Sequence, residues 1–212
     1  MKVSIFSESP ADEAAILALV KGILGTSLEL VPGPRVRSRG WTAVFSLLPV
    51  VLKHLHFQTD AEAVVLVIDS DSKPVHLPAH DESGGEDEDC RLCDLRRAAV
   101  HVQGALRQVP NRKTMKIAVG MAVPAIEAWY LCGKDPHVSE AAWITGLQTG
   151  KFPYTKQALK RSVYGTDRPS LELETECAIK ESERVSQSID DLEAFFPNGF
   201  GPLARAVRSW RT

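Results

Sequence analysis

Val64-Val65-Leu66-Val67-Ile68-Asp69-Ser70-Asp71 is the stretch on which the reading of this chain turns. Five consecutive apolar residues suit a strand covered on both faces, as in a parallel sheet, and the run ends abruptly in two carboxylates. Acids at the carboxyl end of such a strand stand where an open α/β sheet forms its ligand crevice. Where the strand ends the backbone turns, and both carboxylates can then face one ion. Two carboxylates make the hard oxygen site that magnesium or manganese prefers, with waters and a substrate phosphate completing the coordination.

Working outward, the same pattern recurs on either side. Upstream, Val3-Ser4-Ile5-Phe6-Ser7-Glu8 predicts a strand over 3–6 that ends in Glu8, ahead of a helix running from Asp12 to Gly25. Ser27–Val31 predicts a short second strand closed by Pro32-Gly33-Pro34, and Trp41 opens a helix carrying Val44, Leu48, Val51, Leu52 and Leu55. Downstream, Cys90–Val109 predicts a helix, Lys116–Val119 a fourth strand, and Ala125–Leu131 a helix with Pro124 in its first turn. Strands alternating with helices predict an α/β fold with a mostly parallel sheet of about four strands flanked by helices. After Gly133 strand signals cease. Residues 1–133 are therefore expected to form the α/β domain, with a loop insert at about 72–93, and residues 134–212 a helical extension packed on it. The acid- and glycine-rich run Asp81–Asp89 is expected to be an exposed loop.

Composition narrows the function classes. The chain has 212 residues, 44% of them hydrophobic and 25% charged, with a formal net charge of −2. That is an ordinary globular composition without a general coat of positive charge. No apolar run approaches the length of a bilayer span, no secretory leader is visible, and the four cysteines do not form an extracellular framework, so a cytoplasmic protein is expected.

Three constellations could carry chemistry. Glu8 can move a proton or share a metal with Asp69 and Asp71. Glu127, set among Ile126, Ala128, Trp129 and Tyr130, is a metal ligand, a partner for a basic residue, or a residue of a polar helix face. In the insert, His76, His80, Cys90 and Cys93 have the spacing of a tetrahedral zinc site, more suited to a structural ion than to a catalytic one. Basic residues offer a phosphate-binding surface for nucleic acid: Arg35 and Arg37 ahead of Trp41, and Lys156, Lys160 and Arg161 about a turn apart on a helix.

Glu8 after the first strand, Asp69-Ser70-Asp71 after a later one and Ile126-Glu127-Ala128-Trp129-Tyr130-Leu131 after a fourth together resemble the Toprim pattern. The form is that of small bacterial Toprim-like proteins, similar to the RloB-like and OLD-type nuclease groups. Tyr154–Arg161 and Phe200-Gly201-Pro202-Leu203 are similar to the same group. Ser7 stands where a glycine often precedes the glutamate. The resemblance implies a magnesium-dependent nuclease, with Glu8 as general acid or base and Asp69 and Asp71 as metal ligands; Glu127 is then expected to complete the catalytic site or orient it. It also implies a role in phage defence and, as in some related nucleases, a partner ATPase. A phosphatase of the haloacid dehalogenase type fits less well, because its aspartate motif opens the domain. The non-enzymatic alternative is a zinc-stabilised module of the same fold that binds nucleic acid or protein.

Overall fold

Four strands, β1 (Lys2–Phe6), β2 (Glu29–Leu30), β3 (Ala63–Asp69) and β4 (Lys116–Ala122), form one sheet in the order β2-β1-β3-β4, and every pairing is parallel. They come from a computed structural model that describes residues 1–34, 40–82, 85 and 87–211. The chain leaves β1 towards one edge and returns to place β3 on the other side of β1, so the strand order reverses between β1 and β3. Glu8 follows the first of these strands and Asp69 closes the second, which puts both acids at the switch point.

Alternation along β3 sorts its side chains between two cores. Val64, Leu66 and Ile68 face a layer built from α2 (Trp41–Gln58) and α3 (Arg91–Ala105). Ala63, Val65 and Val67 face α1 (Pro10–Leu24) and helices of the second half. Both sets are buried, which explains the uninterrupted apolar run. In α1, Ser9 caps the start by accepting from the Asp12 N–H, and Gly25 ends it at φ 66°, where a side chain would be strained.

Beyond β4 come α4 (Ile126–Tyr130), α5 (Glu140–Thr149), α6 (Lys156–Tyr164), α7 (Leu171–Val185), α8 (Ile189–Phe195) and α9 (Phe200–Arg208). Ala178 and Val185 of α7 join the α1 core, and Leu203 of α9 lies over Gly120 of β4. The buried Glu140 carboxylate accepts from the Asn198 and Gly199 N–H groups at 3.0 and 2.9 Å. The Gly199 carbonyl in turn accepts from the Met121 N–H at 3.1 Å. The region after Gly133 thus supplies much of the cover on one face of the sheet.

Three predicted boundaries move. The second strand shrinks to two exposed residues on the sheet edge, facing only Lys2 and Val3. The helix predicted over 90–109 stops at Ala105, where Leu106 turns to extended backbone at ψ 126°, ahead of Pro110. The fourth strand runs to Ala122, pairing with β3 along all seven residues, and Pro124 precedes α4 rather than entering its first turn.

Candidate active site and metal centre

The acids converge at the carboxyl end of the sheet. Past β3 the Ser70 N–H still donates to the Ala122 carbonyl at 2.8 Å, and the Asp71 N–H to the Pro124 carbonyl at 2.9 Å. Asp71 adopts φ 52°, a left-handed conformation that aspartate tolerates better than most residues. This turn brings the two carboxylates to one cation, the Lys156 ammonium, whose Nζ donates to Asp69 Oδ2 at 2.9 Å and also to Asp71 Oδ1. The Glu8 carboxylate accepts from the Asp69 N–H at 2.9 Å, and Asp69 Oδ1 accepts from the Ile126 N–H at 3.1 Å. Arg91, first residue of α3, donates to the Asp69 carbonyl at 2.7 Å and to Asp71 Oδ2 at 2.6 Å.

A cavity of about 250 Å³ opens beside these groups, lined among others by Glu8, Asp12, Asp69, Glu127, Lys160 and Tyr164. Glu127 is only 5% exposed; it accepts from the Tyr164 hydroxyl at 3.4 Å and lies 3.6 Å from Lys160 Nζ. Lys160 thus gives Glu127 a basic neighbour. Lys156, Lys160 and Tyr164 recur at four-residue spacing, one stripe of α6 turned towards the acids.

Burial, reinforced by the charge of Asp69, raises the Glu8 carboxyl from its ordinary 4.5 to about 7. Burial likewise raises Asp69, against the pull of Lys156. Burial and the charge of Asp69 raise Glu127, with Lys160 opposing. At Asp71 burial also acts upward, but the hydrogen bonds from Lys156 and Arg91 outweigh it and hold the carboxyl below its ordinary value. Two adjacent aspartates are thus pushed in opposite directions, the pattern of groups set to different tasks.

The expected basic stripe does not form as one surface. Lys156 and Lys160 are drawn inward onto acids, whereas Arg161 faces outward and pairs with Asp167 at 2.9 Å. Arg35 and Arg37 lie outside the described residues. Sequence reasoning passed over Arg91, Tyr164 and Glu174, and took Asp12 only as a helix-start signal. Glu174 lies 3.4 Å from Lys160 and lines the same cavity. The i, i+4, i+8 spacing of Lys156, Lys160 and Tyr164 was the one available signal for the tyrosine.

A second cluster lies at the other side of the Asp69–Asp71 turn. His76, His80, Cys90 and Cys93 each turn a ligand atom inward, all within 4.8 Å of one another, and could hold a metal such as zinc. Among the described residues no other set of three or more histidine, cysteine, aspartate or glutamate donors gathers so tightly; Glu8, Asp69 and Asp71 do not. Asp81 and Asp87, expected in a loop free of packing, lie against the outer nitrogens of the two rings: Asp81 Oδ1 is 3.2 Å from His76 Nε2, and Asp87 Oδ2 is 3.8 Å from His80 Nε2. No family model, curated protein or solved structure gave a significant match to the chain. Chemistry must therefore be argued from these residues. No helix of the described residues is long and apolar enough to cross a membrane.

Proposed function

We propose that this chain is a metal-dependent phosphoryl-transfer enzyme, a nuclease that hydrolyses phosphodiesters of nucleic acid. One observation carries the reading: two aspartates and a glutamate of raised pKa meet at the switch point of a parallel sheet, and the aspartates already share one cation, Lys156. The donor chemistry fits magnesium, since Asp69 and Asp71 are hard oxygen ligands and the ammonium stands where a positive charge is stabilised. Bound there, the ion would stabilise charge developing on the phosphoryl oxygens. The resemblance to Toprim-like nucleases supports the same assignment.

Glu8, with a pKa near neutrality, is suited to accept a proton from the attacking water and to return one to the leaving group. With an ion on the aspartates, Lys156 would be free to carry its charge to the substrate phosphate, and Lys160 would give a second positive charge at the cavity wall. Glu127 orients Lys160 and, with Tyr164, closes the inner end.

Cleavage of plasmid DNA, single-stranded DNA and structured RNA, with magnesium or manganese and with EDTA, tests this reading. Metal-dependent cleavage by the wild type, lost in an Asp69→Ala, Asp71→Ala double variant of unchanged circular dichroism, is the expected result. A second reading, a zinc-stabilised binding module, draws on the same ion pairs: Lys156 can neutralise the aspartates without any metal. Nucleic-acid binding that is indifferent to magnesium, with no cleavage, would favour it.

A further inference from the structure

Cys90 and Cys93 bracket Arg91, the residue that holds the Asp69–Asp71 turn, and this adjacency joins the two clusters. The Cys93 Sγ lies 3.5 Å from His76 Nδ1 and 3.7 Å from His80 Nδ1, and the Cys90 Sγ lies 3.8 Å from His76 Nδ1. Zinc–sulfur and zinc–nitrogen bonds of about 2.3 and 2.05 Å at tetrahedral angles place sulfur and nitrogen about 3.6 Å apart. Three of the sulfur–nitrogen separations thus already match the edges of a zinc tetrahedron. His76 is 2%, Cys90 0% and Cys93 5% exposed, so four protein ligands would close the site to substrate. Coordination through Nδ1 leaves the ring protons on Nε2, where Asp81 stands to accept that of His76 at 3.2 Å and Asp87 lies near that of His80. Arg96 pairs with Asp81 at 2.7 Å and completes that outer layer.

The start of α3 needs such a fixture. Cys90 is its N-cap residue but gives no side-chain cap bond, and among the described residues from 70 to 89 the one helical element is a short 3₁₀ turn, Pro78–Asp81. Arg91 must nonetheless keep its guanidinium on Asp69 O and Asp71 Oδ2 while lying 5.4 Å from the centre of the Trp41 ring. We propose that His76, His80, Cys90 and Cys93 bind one structural zinc ion, and that the ion fixes the start of α3 so that Arg91 clamps the Asp69–Asp71 turn. The assignment does not depend on nuclease activity.

The test uses the full chain. Elemental analysis should find one zinc per chain, and cobalt exchange should give the visible bands of a tetrahedral, thiolate-bound ion. Absence of stoichiometric zinc, or of those bands, overturns the site. Because cysteine variants can fail to fold, the coupling is read on the wild type by hydrogen exchange before and after zinc is stripped by a chelator. The Ser70 and Asp71 amides should exchange roughly tenfold faster or more once a charge-assisted hydrogen bond is lost, while the sheet stays protected. Arg91→Gln should speed the same two amides with its zinc still bound. Unchanged exchange at residues 70–71 after stripping would overturn the clamp. Loss of protection throughout the sheet would overturn it too, in favour of a general staple.

Discussion

Glu8 is the residue whose environment makes the sharpest claim. Its carboxyl binds a proton more tightly in the folded chain than in the unfolded one, because burial and Asp69 raise its pKa from 4.5 to about 7. The stabilisation this provides is complete below pH about 4.5 and is lost as pH rises through about 7. Glu8→Gln should therefore raise the melting temperature relative to wild type at pH 8 and lose that advantage at pH 5. If Glu8 is the general base, wild-type cleavage rises through pH 7 and the variant is slow at every pH; a variant with an unchanged pH profile would remove Glu8 from that role. Lys156 makes a second claim at this scale. Lys156→Met leaves Asp69 and Asp71 without their shared cation, at a cost of roughly 2 kcal/mol for the lost charge-assisted bonds. Magnesium should then bind more tightly than to wild type and recover more of the lost melting temperature, while cleavage falls. Calorimetric titration checks this, and unchanged magnesium affinity would show that the ammonium does not stand in the metal's place.

Elements position these residues through close contacts. Thr155 caps α6 by accepting from the Ala158 N–H at 3.1 Å, and that cap sets the first residue, Lys156, against the aspartates. Thr155→Ala should cost about 1 kcal/mol in urea unfolding. The approach of α9 to the sheet is tighter. A Cβ at Gly199 would intrude on the Met121 carbonyl, where the Gly199 carbonyl also receives the Met121 N–H. Backbone cannot yield as a flexible side chain does, so Gly199→Ala should destabilise by about 1–3 kcal/mol in the same measurement. A neutral outcome would mean that α9 is not seated on β4 as described.

At the scale of the whole molecule, the boundary near Gly133 separates two patterns in the sequence but not two cores. Ala178, Val185, Leu192, Leu203 and Val207 share one buried cluster with Val3, Ile16 and Val65. A chain truncated after Gly133 should lack cooperative thermal unfolding, because α1 and β4 would expose the apolar faces that α7 and α9 cover. Independent folding of the truncated chain, seen by calorimetry, would sink that view. The truncation also removes Lys156, Lys160 and Tyr164, so one wall of the cavity belongs to the second half of the chain.

The sequence by itself determined the periodic features: a parallel sheet with both faces covered, the acids at the strand ends, and the histidine and cysteine spacing of the second cluster. These are local regularities, fixed by the two-residue repeat of strands, the helical turn and the geometry of a chelate. Tertiary structure alone decided which charges meet. Lys156 stands 87 residues from Asp69 along the chain and Arg91 stands 20 from Asp71, and no local pattern reports such pairings. The same long-range folding turned Lys156 and Lys160 inward while leaving Arg161 outside, and set Glu127 as the buried partner of Lys160. The seating of α6 beside the crevice sets those contacts, and it arises only once the two halves share a core.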